Sequence, residues 1–233
     1  MPIPRPDEPL PQGAEKVAAV REMFDTIAPR YDVVNRIMTF RLDVSWRRET
    51  ADSLGLTKGA TVLDLAAGTG DLCIELRRRA FRPVSIDLSF GMLRADRSGS
   101  PRIQADALRL PVTGAGADGV TCGFALRNLV GLGAFFDELA RVVRRGGRIA
   151  LLEVATPPNP VLRAGHAVYF GKVVPVIGGI LSNPAAYRYL PRSVAYLPPP
   201  DEMLARLGAA GFTDVERRLL SHGIAQLLTA TRS

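Results

Sequence analysis

The sequence predicts an α/β fold with a doubly wound, mostly parallel sheet, and three observations carry this prediction. The apolar run 61–65 is followed by a glycine-rich turn and then by a helical pattern from Asp71. Two further apolar runs, 83–87 and 102–105, lead to Asp87 and Asp106. Strand and helix patterns alternate, which is typical of a doubly wound sheet. Acids that follow successive parallel strands lie at one edge of the sheet, where open α/β sheets bind their ligands.

The glycine-rich turn itself predicts a ligand-binding loop. Gly68 and Gly70 allow positive φ angles and close approach of a ligand to the backbone. The helix that starts near Gly70 presents unpaired N–H groups to a polar or anionic group. A dinucleotide-binding turn requires a third small residue, and Cys73 at that place argues against NAD. Asp87 has a spacing that suits a carboxylate accepting from ribose hydroxyls, while an ordinary strand-to-helix connection is the alternative interpretation.

Length and composition set the size of the protein and the kinds of site it carries. The 233 residues, 47% hydrophobic and 23% charged, suit one large α/β domain or one domain with a small cap. Cys73 and Cys122 have neither CxxC nor metal-ligand spacing, so we interpret them as reduced core thiols. His166 and His222 are too few for a histidine metal site. We therefore expect no metal.

The charge balance is basic, with a net charge of +7 and a sequence pI near 10.0. Such a balance fits nucleic acid, an anionic membrane surface or simple solubility. Because the basic clusters are short and spread along the chain, we expect no nucleic-acid partner and favour a solvated face or membrane docking. The proline-rich start lacks the apolar core of a signal peptide, and no apolar run is long enough to span a bilayer. The expected location is cytoplasmic, with peripheral contact at the inner face of the membrane.

Proline punctuation divides the chain. Residues 1–13 carry five prolines and are expected to form a flexible tail, followed by one domain over 14–233. Within it, 14–56 is predicted to be an N-terminal helical cap, and 157–200 a helical insert over the site. The insert has two interpretations of equal weight: a mobile cap whose apolar face meets a greasy substrate or the membrane, or a helical subdomain packed on its own core. Later strands are predicted at 118–124, 149–154 and 213–218, with a turn at 144–148 and an antiparallel edge strand at 223–231.

At the sheet edge the residues resemble a known superfamily. The run Asp64-Leu65-Ala66-Ala67-Gly68-Thr69-Gly70-Asp71 resembles motif I of class I S-adenosylmethionine-dependent methyltransferases. Asp87 resembles their ribose-binding acid, and the pair Asp106-Ala107 resembles their adenine-contacting pair. The resemblance implies a seven-stranded sheet and S-adenosyl-L-methionine as the cofactor. It implies that the cofactor is held by Asp64, Gly68, Thr69, Gly70, Asp87, Asp106 and Ala107.

Further motifs resemble one family within that superfamily, the UbiE/MenG quinone C-methyltransferases, which include the demethylmenaquinone methyltransferases. They are Tyr31-Asp32 with Asn35 and Trp46, Arg127-Asn128 past the fourth strand, and Tyr187-Arg188-Tyr189-Leu190 in the insert. The resemblance implies C-methylation of a reduced demethyl-quinone, demethylmenaquinol to menaquinol, with a prenylated quinol as the substrate. We also expect a homodimer. The chain departs from the family pattern at Arg41, Asp43, Gly123 and Ala125, which keeps another small aromatic or natural-product acceptor as the alternative.

The implied chemistry assigns roles to a few side chains. A neutral aromatic carbon is a weak nucleophile, so the neighbouring quinol hydroxyl must ionise and its oxyanion must be stabilised. Arg127 is always charged and suits that task, whereas it cannot abstract a proton. Asn128 and Tyr31 are expected to orient the quinol oxygens. His166 and His222 are bases by their chemistry alone, although a lone histidine is more often structural. A cofactor-binding protein without catalysis is a third reading, and a NAD oxidoreductase a fourth.

Overall fold

The computed structural model describes residues 11–181 and 183–233. The predicted tail falls largely on residues 1–10, outside the described residues, and the first helix begins at Gly13. The strands are β1 (Thr61–Leu65), β2 (Arg82–Asp87), β3 (Arg102–Gln104), β4 (Ala117–Gly123), β5 (Val143–Val154), β6 (Phe212–Leu220) and β7 (Ala225–Arg232). The helices are α1 (Gly13–Ile27), α2 (Tyr31–Met38), α3 (Leu42–Ser53), α4 (Asp71–Arg78), α5 (Phe90–Ala95), α6 (Leu132–Val142), α7 (Pro160–Val168), α8 (Val174–Leu181), α9 (Pro184–Ser193) and α10 (Pro200–Ala209).

The seven strands form one sheet in the order β3-β2-β1-β4-β5-β7-β6. Strands β1 to β5 pair in parallel, and β7 runs antiparallel to both β5 and β6. The predicted doubly wound, mostly parallel fold is thereby confirmed. The chain order reverses its direction across the sheet at β1 and β4, which is the place where such sheets bind ligands.

Two details of the sheet differ from the prediction. The final strand was expected at the edge, but β7 lies inside the sheet and β6 forms the edge. The reason is burial, because residues 225–230 are all buried whereas β6 alternates between exposed and covered positions. In addition, the expected turn at 144–148 is part of β5, which begins at Val143 and continues through the glycines to Val154.

Separate cores cover the two faces of the sheet. On one face α6 contributes Phe135 and Phe136, both fully buried. On the other face α3 and α4 pack Trp46, Leu72 and Leu76 against the strands. Burial of an aromatic or aliphatic side chain of this size contributes about 1.5–3 kcal/mol each. These cores fix the strand ends from which the functional loops emerge.

A third core joins the N-terminal cap to the insert. Met23 and Ile27 of α1 and Val34 of α2 pack with Tyr187 and Tyr189 of α9. The insert therefore packs on the cap helices, not only on itself, and the two segments together form a roof at the carboxyl edge of the sheet.

Candidate active site

The glycine-rich turn after β1 depends on its two glycines for different reasons. Both have positive φ, +59° at Gly68 and +83° at Gly70. A Cβ at Gly70 would lie 2.3 Å from Asp96 Oδ1, whereas a Cβ at Gly68 would meet only Met92 Sδ, at 3.9 Å. Asp96 cannot move aside easily, because its oxygens accept from Ser98 N and Ser85 Oγ, each at 2.6 Å. Gly70 is thus required by a carboxylate of the protein itself.

Gly70→Ala should therefore destabilise the fold more than Gly68→Ala. The left-handed conformation costs an L-residue about 1–2 kcal/mol at either position. At Gly70 the clash with Asp96 adds overpacking of about 1–3 kcal/mol. Urea unfolding of the two variants, each against the parent chain, measures the difference. Equal losses of unfolding free energy would show that the Asp96 contact carries no cost.

A cavity lies at the carboxyl ends of β1 to β4, and we call it the sheet-edge cavity. Asp87 at the end of β2 lines it, with Oδ2 accepting from Gly68 N and Oδ1 from Ser89 N, both at 2.8 Å. Burial raises the pKa of Asp87 to about 6, although these two backbone bonds oppose the rise. The carboxylate is therefore fixed in place and retains acceptor capacity toward a ligand.

The other predicted cofactor residues divide into two groups. Gly68, Asp106 and Ala107 line the sheet-edge cavity. Asp64 at the end of β1 and Thr69 and Gly70 of the turn are outside the cavity lining. Asp64 accepts from Thr121 Oγ1 at 2.8 Å and from Cys73 Sγ at 3.4 Å, and burial raises its pKa to about 7. The structure thus places Asp64 as a support for the turn.

Charged contacts fasten the cap helices to the turn and to α5. Asp25 of α1 accepts from Ser89 Oγ at 2.6 Å and from Gly91 N at 2.8 Å. Asp32 of α2 is buried, accepts from Thr69 Oγ1 and pairs with Arg97. Arg36 of α2 pairs with Asp71 at 3.0 Å. The cap is therefore held over the sheet-edge cavity by the same loops that shape it.

A second and larger cavity lies between the cap and the insert, and we call it the apolar cavity. Its lining is mostly aliphatic and aromatic, with contributions from α1, α2, α3, α7 and α9. Phe24, Tyr31 and Phe124 line both cavities. Phe124 holds a positive φ of 61°, an uncommon and strained conformation for an aromatic residue. The two cavities therefore meet at one aromatic wall.

Of the predicted catalytic residues, Tyr31 lies at this junction, and Asn128 and Arg127 lie on either side of it. Asn128 lines the sheet-edge cavity, whereas Arg127 lines the apolar cavity. Asn128 Oδ1 accepts from the hydroxyl of Tyr189 at 3.4 Å. Burial raises the pKa of Tyr31, and the charge of Arg47 opposes that rise, so the phenol stays protonated and can donate.

The Arg127 guanidinium belongs to a buried ion pair. Its side chain is 5% exposed, and it pairs through Nη1 with Glu153, whose side chain is 0% exposed. Nε donates to Ser193 Oγ at 3.1 Å, while Nη2 donates to no residue that the structure describes. Glu153 at the end of β5 and Ser193 of the insert were missed as site residues. An acid that closes the buried run 149–152 was the available signal for Glu153, whereas Ser193 carried none.

Both histidines line the apolar cavity but differ in their surroundings. His166 Nε2 is buried without a hydrogen-bond partner among the described residues, and its ring lies 4.5 Å from that of Phe170. Burial lowers the pKa of His166, so the imidazole is neutral at pH 7. His222 is exposed and has a positive φ of 59°. The unpartnered lone pair or N–H of His166 is thus available to a ligand of this cavity.

Three of the four departures from the family pattern reach the cavities. Gly123 and Ala125 line the sheet-edge cavity, and Asp43 lines the apolar cavity. Asp43 is buried, pairs with Arg47 and accepts from Thr39 Oγ1 at 2.7 Å. Arg41 is exposed at the turn between α2 and α3.

Across residues 11–181 and 183–233, no cluster of three or more histidine, cysteine, aspartate or glutamate side chains could hold a metal ion. Within the same residues, none of the helices has the length and apolar character needed to cross a bilayer.

Comparison with known proteins identifies the family to which this chain belongs. Residues 12–232 match the profile of the ubiE/COQ5 methyltransferase family. The chain belongs to this family. The demethylmenaquinone methyltransferase of Roseiflexus sp. (strain RS-1) is 40% identical over 236 residues, which cover 96% of this chain and 97% of that one. The ubiquinone/menaquinone biosynthesis C-methyltransferase UbiE of Geobacter sulfurreducens is 37% identical over 230 residues, which cover 94% of this chain and 90% of that one.

Solved structures agree with the fold. A methyltransferase from Haloferax volcanii, in complex with the activator Trm112, matches with a TM-score of 0.66 and 15% identity over 89% of this chain and 96% of that one. An S-adenosylmethionine-dependent methyltransferase from Thermotoga maritima matches with a TM-score of 0.64 and 15% identity, over 91% of this chain and 99% of that one. The ubiE/COQ5 family member described here is therefore an enzyme, a class I methyltransferase, whose methyl donor is S-adenosyl-L-methionine.

Proposed function

We propose that this methyltransferase moves a methyl group from S-adenosyl-L-methionine to a ring carbon of reduced demethylmenaquinol and so yields menaquinol. One observation carries the proposal: a cavity at the sheet edge that holds the carboxylates of Asp87 and Asp106 and a large apolar cavity meet at a wall shared by Phe24, Tyr31 and Phe124. A polar cofactor in one cavity and an apolar aromatic acceptor in the other would meet at such a wall. The names of the relatives described above support the same acceptor.

The sheet-edge cavity fits the cofactor in its chemistry. Asp87 offers carboxylate oxygens to two ribose hydroxyls, the turn at Gly68 allows close approach, and Asp106 and Ala107 line the remaining wall. The acids Asp87 and Asp106 in the cavity lining favour a cationic sulfonium over an anionic pyrophosphate. When bound, the cofactor supplies an electrophilic methyl group. The protein must therefore provide a nucleophilic ring carbon and keep water away.

Arg127 and its neighbours supply that environment. The Arg127–Glu153 pair holds a guanidinium at a fixed place in a mostly apolar cavity, where a preorganised charge stabilises an oxyanion strongly. Tyr31 and Asn128 orient the acceptor oxygens at the junction. Orientation of this kind supplies about 7–11 kcal/mol of barrier reduction in well-aligned systems. The quinol hydroxyl loses its proton first, the carbon–carbon bond then forms as the methyl group leaves sulfur, and the ring carbon finally loses its proton while the oxygen regains one, so that one proton is released in total. We propose neutral His166, rather than exposed His222, as the base that takes up the hydroxyl proton.

Tyr31→Phe should lower kcat by roughly 10- to 100-fold, because a hydrogen bond to a charged oxygen is lost, worth about 1.5–3 kcal/mol. The phenyl ring keeps the shared wall, so the affinity for S-adenosyl-L-methionine should not change. Tyr196→Phe, a tyrosine outside both cavity linings, is the matched control. Steady-state kinetics on both variants tests the role, and equal kcat values for Tyr31→Phe and the parent would remove it.

A turnover assay tests the proposed function as a whole. Purified protein, S-adenosyl-L-methionine and chemically reduced demethylmenaquinone are mixed, and both products are followed by mass spectrometry. Methylated quinone that appears in step with the demethylated cofactor is the expected result. Cofactor binding without methylated quinone would instead favour the alternative function.

That alternative is methylation of another small aromatic or natural-product acceptor. It is favoured by the position of Asp43, Gly123 and Ala125 in the cavity linings, where this chain departs from the family pattern. The buried Asp43–Arg47 pair puts charge beside the apolar cavity, which would suit an acceptor with an additional polar group.

Location and assembly are part of the same proposal. An acceptor with a prenyl tail resides in a membrane, so we propose that the enzyme works in the cytoplasm with peripheral contact at the inner membrane face. We also propose a homodimer, which light scattering of the purified protein would measure.

A further inference from the structure

One face of the roof carries a row of exposed apolar side chains. Phe40, Val161 and Ile180 are 74%, 79% and 78% exposed. The row, which we call the apolar face, comprises Val33 and Ile37 of α2, Phe40 after it, Val161 and Val168 of α7, and Val176 and Ile180 of α8. Exposed apolar residues scattered singly need no explanation, but a contiguous group of this kind marks an interaction surface.

The contacts between these helices bring the segments of the row together. α2 packs against α8, and the Tyr169 hydroxyl between α7 and α8 donates to Met38 O at 2.7 Å. The Tyr169 ring also lies 5.7 Å from the ring of Phe40. On α8 the inward side is buried at Val174, while Val176 and Ile180, four residues apart, share the outward side.

The charge around the apolar face has one sign. The insert 157–200 contains no aspartate or glutamate and four arginine or lysine residues. Lys172 and Arg163 of the insert are exposed, and so is Arg41 beside Phe40. The two acids between residues 28 and 45 are Asp32 and Asp43, and both are buried. An apolar surface bordered by cations is complementary to an anionic lipid surface, where lipid tails receive the apolar groups and headgroups receive the cations.

The apolar cavity opens onto this face. Phe40, Val161 and Leu162 line the cavity and are exposed at the same time. A molecule that leaves a bilayer in contact with these residues would reach the cavity without crossing water.

We propose that the apolar face docks on an anionic lipid bilayer and that the acceptor enters the apolar cavity directly from the bilayer, between Phe40 and the start of α7. The entry route rests on the proposed prenylated acceptor, whereas docking does not. The face is therefore the element that brings the enzyme and a membrane-bound acceptor together.

The test compares a variant that carries carboxylates on the apolar face with a matched control. Val176→Glu with Ile180→Glu adds two carboxylates to the apolar face without touching either cavity lining. Phe90→Glu with Leu219→Glu adds two carboxylates at exposed apolar residues elsewhere. Cosedimentation is measured with vesicles of phosphatidylcholine alone and of an equimolar mixture with phosphatidylglycerol. Parent and control should bind the mixed vesicles, less so in high salt, and the face variant should bind them at least about tenfold more weakly.

Turnover separates this proposal from the proposed function. With acceptor embedded in the mixed vesicles the face variant should lose rate, whereas with a short-tailed acceptor in solution it should match the parent. Equal vesicle binding by face variant, control and parent would overturn the docking proposal while leaving turnover intact. A parent that binds no vesicles and forms a dimer that the face variant loses would also overturn it, because a second copy then covers the face. Vesicle binding that depends on the apolar face, without methylation of either acceptor, would support the docking proposal and contradict the proposed function.

Discussion

Arg127→Ala should lower kcat by roughly 10²- to 10³-fold, the usual loss when one preorganised oxyanion partner is removed. It should also lower the free energy of unfolding by about 3–5 kcal/mol, because Glu153 is left as a buried and unpaired charge. Both effects follow from one contact, the ion pair beside the apolar cavity. Turnover with reduced demethylmenaquinone and chemical unfolding measure them independently.

A second variant separates chemistry from stability. Arg127→Met combined with Glu153→Leu removes both charges and should recover most of the stability, since replacing a buried ion pair by apolar groups is often neutral. Turnover should stay as low as in Arg127→Ala if the guanidinium acts on the acceptor. Recovery of turnover along with stability would assign Arg127 a purely structural role.

Asp87→Ala should weaken binding of S-adenosyl-L-methionine by roughly 10²- to 10⁴-fold, because two hydrogen bonds to a charged acceptor are lost at about 1.5–3 kcal/mol each. The loop itself also loses two contacts, since Gly68 N and Ser89 N donate to this carboxylate. Calorimetric titration with the cofactor and with its demethylated product measures the loss. Unchanged affinity would remove Asp87 from the cofactor site.

The pH dependence of binding gives a sharper test of the same residue. Burial raises the pKa of Asp87 from 3.8 to about 6. The folded state therefore binds this proton more tightly than the unfolded state does. The resulting gain in the free energy of unfolding is present in full below pH 3.8 and is lost as the pH rises through about 6. In the proposed site the ionised carboxylate accepts from the ribose hydroxyls, so the affinity for the cofactor should fall as the pH drops below about 6. Asp87→Asn should bind weakly and lose that step, whereas a step caused by buried Asp64 would persist in the variant.

Much of this site could be predicted from local pattern, because its parts follow strand ends. Asp87 and Asp106 come after apolar runs, and parallel strands bring such positions to one edge whatever the rest of the chain does. The placement of β7 could not be read in the same way. Its position inside the sheet depends on burial of both faces by distant segments, and the polar residues Gln226 and Thr229 interrupt any apolar run that would signal it.

Residues that meet only through tertiary packing were beyond local pattern. Ser193 reaches Arg127 from a helix 66 residues away in the chain. The positive φ of Phe124 at the shared wall is likewise invisible in the sequence, because a bulky aromatic residue takes that conformation only where the surrounding packing holds it. Gly70 was expected to admit a ligand, whereas its missing side chain admits Asp96.

The position of β7 also orders events during synthesis. The ribosome releases residues 212–220 before 225–232, but β6 has no partner in the sheet other than β7. The nascent β6 segment therefore stays unpaired until β7 has been synthesised, and an unpaired strand can associate with other chains. The charged side chains of Glu216, Arg217 and Arg218 disfavour such association until β7 pairs with β5 and offers β6 an edge.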